Sequence, residues 1–310
     1  MKIAIIGAGA MGSLFGGILA GSADVCLYDV NEAHISEINK NGLLMSRGEE
    51  KRYVKVRATT NPEEIGTVDA AIFFTKYTFM DSALKDALAC IKEHTVVLTL
   101  QNGLGCMDIL KKEIPENQIY YGLTAYTSDM KGPGHIELTT KENVGTYFWA
   151  ADDQVSEEAR ELEKVMQKAG FNIQITKDVN EKIWRKLMVN CSENTLCAIL
   201  RLRVGQLVNT QESFEILKRI INEISDVALA KGIMISREEG LKYVMEVSQA
   251  VEHHLPSMAL DVMKKRKTEI MCLNEAVIEE AKKYGIETPA LEITAQMIRA
   301  IEKNYEGQAF

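Results

Sequence analysis

"KIAIIGAGAMGSLFGGILAGSADVCLYD", residues 2–29, passes from a short apolar run ending in glycine, through a segment with helical apolar spacing, to a second β-rich run. That pattern reads as a βαβ unit. Gly7, Gly9 and Gly12 form G-x-G-x-x-G directly after the strand and at the head of the helix, the context in which this spacing signals a dinucleotide site. The three glycines do separate jobs. The first allows the tight turn, the second lets backbone approach a pyrophosphate, and the third lets helix pack closely on strand, while the helix N-terminus faces the anion. The run Gly7, Ala8, Gly9, Ala10, Met11 and Gly12 is therefore expected to hold the cofactor. Asp29 follows about twenty residues on, where an acid can hydrogen-bond the adenosine ribose; as an alternative it caps the next helix. Facing the ribose, it would repel a 2'-phosphate by ~1 to 4 kcal/mol. No Lys or Arg comes before Lys40, so NADH is expected over NADPH.

Outward from this unit, apolar runs at 68–75, 95–100 and 118–123 alternate with helix-like segments, which implies a mainly parallel sheet covered on both faces. "GPGHIELTT", "VGTYFWA" and "FNIQIT" read as shorter, antiparallel strands at the end of that sheet. From about residue 178 the texture becomes long helical periodicity, and Pro256 and Pro289 fall where helices would begin. In the last helix, Thr288 is expected at the N-cap. The fold class is therefore α/β: a Rossmann-type dinucleotide-binding domain over residues 1–177 and an all-helical domain over 178–310.

The 310 residues suffice for two cores, and 46% hydrophobic with 26% charged residues suits a globular protein. A net charge of -8 argues against nucleic acid, because the longest basic run is "KKRK", Lys264–Lys267, read as a solvated helix face. The six cysteines form no C-x-x-C pair, which favours reduced buried thiols, a cytoplasmic setting and no metal site. The glycine-rich N-terminus is a poor secretion leader, and no apolar run is long enough to span a membrane. The five histidines show no ligand spacing, and a structural or exposed role is expected for each.

Lys76 and Asn102 stand at the carboxyl ends of predicted parallel strands, the edge where ligands bind such sheets. In "KLMVNCSENT", residues 186–195, steps of four keep Lys186, Asn190 and Asn194 within about 80° of one another on an otherwise apolar helix. Buried polar groups need partners, and a salt bridge to an acid of the same domain would supply one. Equally, a cation and two amides suit carbonyl reduction, in which the oxygen needs a positioned acid and hydrogen-bond donors.

Several pieces together resemble the ketopantoate reductase family: "IGAGAMG", "TK" at 75–76, "QNGLG" from 101, "GPGHI" from 132, "WRKLMVNCSENTLCAI" from 184 and "PSMALDVMKKRKTEI" from 256. They follow family order over essentially the whole length. The resemblance implies Lys186 as proton donor to the ketone oxygen and Glu269 as a hydrogen-bonding group near the reacting centre. Asn190, Asn194 and Ser257 would hold substrate, and Lys76 and Asn102 would contact cofactor and substrate. NADPH is the family's common cofactor, so either NADH or NADPH is expected, with a small 2-oxo acid as partner and a homodimer as a possible assembly. Three positions depart from the family pattern: Asp29 where many members carry a basic residue, Val204 in place of a frequent asparagine, and His254 before Pro256 and Ser257. The readings that follow are ketopantoate reduction to D-pantoate, reduction of another 2-oxo acid by a D-mandelate-type dehydrogenase, or a dinucleotide-binding regulator without turnover. A single straight helix from 257 to 280 would hold Ser257 and Glu269 ~18 Å apart, so a late start or a bend near "KKRK" is expected.

Overall fold

The computed structural model of the chain describes residues 1–140 and 144–307. Two compact units emerge, one made of Met1–Gln101 with Cys106–Val179, the other of Asn102–Gly105 with Asn180–Phe310. The main division thus falls two residues beyond the 177/178 expectation. The four-residue segment Asn102–Gly105, which the sequence reading left with the nucleotide-binding half, belongs to the helical unit.

In the first unit, in chain order, are β1 (Lys2–Ile6), α1 (Ala10–Leu19), β2 (Asp24–Tyr28), α2 (Glu32–Asn41), β3 (Leu43–Arg47), β4 (Glu50–Val54), β5 (Arg57–Thr59), β6 (Ala70–Phe73), α3 (Met80–Ala87), β7 (Val96–Thr99), α4 (Cys106–Leu110), β8 (Ile119–Thr124), β9 (Ser128–Gly132), β10 (His135–Leu138), β11 (Gly145–Ala150), α5 (Glu157–Lys168) and β12 (Asn172–Ile175). The large sheet runs β12-β11-β8-β7-β6-β1-β2-β5. From β5 to β8 it is parallel, and β11 joins β8 antiparallel. Its central strands are apolar on both faces, as a sheet covered on both sides requires. Ile3 and Ile5 join Leu14, Phe15 and Leu19 of α1, while Ala4 and Ile6 join Met80, Leu84 and Ala87 of α3.

Two strand expectations are corrected. His135–Leu138 leaves the main sheet for a second one, ordered β4-β3-β10-β9, in which it pairs parallel to β3. Asn172–Ile175 lies parallel, not antiparallel, to β11. Alternation fixes which face of a strand is buried but not which neighbour it takes.

The helical unit contains α6 (Val179–Val189), a wide π turn at Asn190–Asn194, α7 (Thr195–Leu200), α8 (Val204–Asn209), α9 (Gln211–Ala230), α10 (Arg237–Ala250), α11 (Ser257–Met263), α12 (Asn274–Lys283) and α13 (Pro289–Lys303). The long α9 buries Leu217, Ile220, Ile221, Ile224, Val227 and Ala228 at helical spacing and packs against α8, α10, α12 and α13. Thr288 is the N-cap residue of α13 as expected, yet its hydroxyl makes no cap bond. The Glu223 carboxylate of α9 takes over, accepting from the N–H groups of Ala290 and Leu291 at 2.8 and 2.9 Å. "KKRK" is exposed but is no helix face: α11 stops at Met263 and Lys265 turns left-handed at φ 52°. Arg266 locks the reversal by pairing with the buried Asp261 at 2.6 Å. All six cysteines are buried and unbridged. Among the described residues no helix is long and apolar enough to cross a membrane, and no cluster of metal-ligating side chains occurs.

Candidate active site

In the α/β unit the site begins where the strand order changes direction. The chain leaves β1 for β2 on one side and later returns to β6 on the other, which makes the crevice beyond β1 and β6 the ligand edge of the sheet. Gly7 turns there with φ 93°, and a Cβ on it would lie 2.7 Å from the Thr75 nitrogen. Gly12 sits against the turn so tightly that a Cβ would fall 1.9 Å from the Gly7 carbonyl oxygen. Gly9 is different: no protein atom lies within 4 Å of its would-be Cβ. Packing therefore accounts for two of the glycines, and open space beside the third suits the close approach of a pyrophosphate. Helix α1 starts at this point with neither a capping side chain nor an acid in its first turn, as an anion site requires.

Ala8 is a correction. It is fully buried, its N–H donates to the Tyr28 carbonyl at 3.0 Å, and its own carbonyl accepts from the Ser13 hydroxyl at 2.7 Å. With its N–H and its carbonyl both engaged inside the loop, it shapes the turn more than it faces outward. Gly9, Ala10 and Met11 are partly exposed. Asp29 lies just past β2 and accepts from the Asn31 N–H at 2.9 Å, while Asn31 itself caps α2. The helix-cap alternative for Asp29 is thereby overturned. Lys76 is exposed just beyond β6. The sequence reading missed Gln101, whose amide bonds the Thr75 carbonyl and the Thr75 hydroxyl, tying the loops after β6 and β7 together.

In the helical unit, the run from Lys186 to Asn194 is not one regular α-helix. The turn at Asn190–Asn194 is a π turn, a wider coil that often marks functional sites. Three side chains account for it. Ser192 returns its hydroxyl to the Met188 carbonyl at 2.6 Å, a bond that perturbs the helical ladder. Asn274, fully buried at the head of α12, donates to the Cys191 carbonyl at 3.1 Å and accepts from the Thr195 hydroxyl at 2.9 Å. The wider turn sets Asn194 over Asn190, amide to amide at 3.2 Å, each side chain almost buried. Asn274 lay outside the sequence reading because its partners lie about 80 residues away.

The single straight helix from 257 to 280 does not form: α11 ends at Met263 and the chain reverses at Lys265, the bend expected near "KKRK". Ser257 is exposed at the first position of α11, which packs against the π turn and α7. Beyond the reversal, Thr268 bonds Glu302 of α13 through its N–H and hydroxyl at 2.7 and 2.8 Å, fixing the segment that carries Glu269. Asn102 donates to Glu269 across 3.5 Å, a long hydrogen bond. It is held there because Leu104 N–H donates to the Cys272 carbonyl at 2.8 Å, and a Cβ on Gly103 would strike that same carbonyl oxygen at 2.2 Å. Burial pulls the Lys186 ammonium down from 10.5 to about 8, with Glu269 opposing that pull. Glu269 is thus a carboxylate of the same domain whose charge acts on Lys186. Val204 is fully buried and His254 exposed.

Residues 3–150 match the family model described as ketopantoate reductase PanE/ApbA, and residues 178–302 match its C-terminal counterpart. The 2-dehydropantoate 2-reductase of Streptococcus pyogenes serotype M1 is 35% identical over 305 residues, 97% of this chain and 98% of that protein. The enzyme of the same name from Lactococcus lactis is 32% identical over 309 residues, 98% of each. Among solved structures, the ternary structure of D-mandelate dehydrogenase with NADH and anilino(oxo)acetate superposes with a TM-score of 0.92 at 32% identity, covering 99% of this chain and 100% of that one. A PanE/ApbA family ketopantoate reductase from Ralstonia eutropha JMP134 superposes at 0.89 with 26% identity, covering 99% and 100%. This chain belongs to the ketopantoate reductase (PanE/ApbA) family.

Proposed function

We propose that the chain is a nicotinamide-dependent oxidoreductase that reduces the C2 carbonyl of ketopantoate (2-dehydropantoate) to D-pantoate, a step of pantothenate biosynthesis. The observation that carries this reading is Lys186, an ammonium drawn down to about 8 by burial, with Glu269 near it and two stacked asparagines a turn away. A general acid is most effective when its pKa lies near the working pH. The glycine turn and the head of α1 would hold the dinucleotide, which would supply a hydride to the carbonyl carbon. As the carbonyl oxygen gains negative charge, the Lys186 ammonium hydrogen-bonds it and passes its proton to it, leaving a neutral amine and a hydroxyl. Asn190 and Asn194 present amides to the substrate's oxygens, and Ser257 holds its far end. Glu269 keeps Lys186 protonated to a higher pH than burial alone would, and it orients the Asn102 amide. Reduction by the protonated lysine weakens as pH rises through about 8, and the reverse oxidation strengthens over the same range.

NADH is the proposed cofactor in preference to NADPH. Asp29 stands where the ribose is bound in this fold, and a 2'-phosphate there would meet like charge. A second substrate reading has its own support in the likeness to a D-mandelate dehydrogenase solved with NADH and in the buried valine at 204. In that reading the preferred 2-oxo acid is bulkier than ketopantoate. The test is kcat/KM with NADH and NADPH for ketopantoate and a series of bulkier 2-oxo acids, phenylglyoxylate included. A ketopantoate value well above the others carries the first reading, and the reverse order replaces it with the second. No oxidation of either cofactor with any 2-oxo acid would sink both and favour a non-catalytic dinucleotide-binding regulator.

A further inference from the structure

We propose that His34 is a positioning residue for the dinucleotide loop: its uncharged imidazole holds the Ser13 hydroxyl, and through it the Ala8 carbonyl, in the arrangement that receives the cofactor. The proposal rests on the dinucleotide reading of that loop and adds a residue outside it.

The directions of the hydrogen bonds are forced. The Gly134 backbone N–H can only donate, and it reaches His34 Nδ1 at 2.9 Å, so Nδ1 carries the lone pair. The neutral ring then bears its proton on Nε2, which lies 2.9 Å from Ser13 Oγ, so the serine oxygen accepts. The serine's own proton is left for the Ala8 carbonyl at 2.7 Å. Each donor has one acceptor along the path from Gly134 to Ala8. Ser13 and His34 are both shielded from solvent, where unmade bonds of this kind cost most. Ala8 lies between Gly7 and Gly9, so its carbonyl orientation sets the peptide that leads into the head of α1.

The far end of the relay is equally constrained. Gly134 sits in the turn between β9 and β10 with φ 67°, and a Cβ there would fall 2.5 Å from Glu37 Cγ on α2. Leu44 N–H anchors the same residue through its carbonyl at 2.8 Å. The "GPG" turn is thereby pressed onto α2 and delivers its N–H to the ring.

A second proton on His34 would set Nδ1–H against the Gly134 N–H and break the relay at its start. The charged group bearing on the ring is the Asp29 carboxylate past β2, which favours protonation, as does the Ala8 carbonyl. Glu37 lies one turn along the same helix, α1 presents Ser13, and the β9–β10 turn presents the Gly134 N–H. Burial outweighs Asp29 and Ala8 and holds His34 below its ordinary 6.5. The uncharged form and the intact loop therefore persist at neutral pH and are lost as pH falls below 6.5.

The experiment is equilibrium titration of NADH by fluorescence between pH 5.5 and 8.0 for the unmodified protein, Ser13→Ala and His34→Gln, with the unfolding midpoint of each recorded. The unmodified protein is expected to lose NADH affinity towards pH 5.5, by less than about tenfold because His34 titrates below 6.5. His34→Gln, uncharged at every pH, and Ser13→Ala, which cuts the relay by a single oxygen, are expected to show no acid loss. Ser13→Ala should also bind NADH more weakly at pH 8.0. An acid loss of the same size in all three proteins, or unchanged affinity in both variants at every pH, would overturn the proposal. The same holds if both variants shift the midpoint without altering the pH profile. Failure of the unmodified protein to bind NADH at any pH would instead overturn the dinucleotide reading beneath it.

Discussion

In the α/β unit the groups offered to a ligand are main-chain N–H groups at the head of α1, bare of side chains. In the helical unit the proposed groups are side chains wholly or partly withdrawn from water: Asn190 and Asn194, which are buried, and Lys186 and Glu269, which are half-buried. The first arrangement restricts sequence, since Gly7 and Gly12 tolerate no Cβ, but it leaves no charge buried. The second buries charge and amides and must satisfy them with partners such as Asn274. A site built in this way would limit which residues fit in one unit and lower stability in the other.

The sharpest break of this contrast is Lys186→Met. A pKa lowered from 10.5 to about 8 corresponds to on the order of 3 kcal/mol spent holding the ammonium in place. The variant is expected to lose 10² to 10⁴ in kcat while its unfolding midpoint stays level or rises. Steady-state kinetics and thermal unfolding of the same sample check both halves, and unchanged turnover would remove Lys186 from its role.

Asn274→Ala comes next. Removing a buried amide that bonds Cys191 and Thr195 is expected to reduce stability by about 1 to 3 kcal/mol. By loosening the π turn it should lower kcat roughly 10- to 100-fold, since misplacement of catalytic groups by about 1 Å has effects of that size. An Asn274→Ala enzyme with normal kcat would show that Asn190 and Asn194 keep their places without it. Glu269→Gln sharpens the same point through pH. With the carboxylate gone, burial at Lys186 is opposed less, so the alkaline loss of reductase activity should move below pH 8; a limb that stays put or moves upward breaks the link between the two residues.

For the α/β unit the matching test is a pair. Gly12→Ala forces a Cβ to within 1.9 Å of the Gly7 oxygen and should damage folding itself, whereas Gly9→Ala meets no protein atom. The latter should leave the unfolding midpoint unchanged and raise KM for NADH about tenfold. Equal destabilisation by both substitutions would mean that Gly9, too, answers to internal packing.

The same contrast explains what was legible beforehand. The glycine turn, its strand and its helix are local, so their spacing alone disclosed that unit. The stripe of Lys186, Asn190 and Asn194 was visible as polar residues at steps of four, but the π turn was not. It goes with the bonds that Asn274 makes to Cys191 and Thr195, about 80 residues back along the chain, and no periodicity encodes such partners. Asn102 shows the limit well: its sequence position marks a strand end, while its partner Glu269 lies 167 residues along the chain. Strand pairing failed for a related reason, since His135–Leu138 chose β3 through tertiary packing rather than through its own alternation. His34 looked like an unremarkable histidine because both its partners are distant in sequence.

Glu193 carries the contrast furthest from the chemistry. It sits inside the π turn at 2% exposure, with the Ser248 hydroxyl donating to its carboxylate. Burial lifts its pKa from 4.5 to about 7, against the lowering effect of that hydrogen bond. The folded state therefore binds the proton more tightly than the unfolded chain does. Stability is fully present below pH 4.5 and is lost as pH rises through about 7, on the order of 3 kcal/mol in all. Glu193→Gln remains neutral throughout and can donate its amide to the serine oxygen. Its denaturation midpoint should match the unmodified protein near pH 4.5 and exceed it progressively up to pH 8, where the gap levels off. A constant gap at every pH would mean that Glu193 never ionises in its buried place, and that the helical unit bears less strain around its π turn than its buried lysine implies.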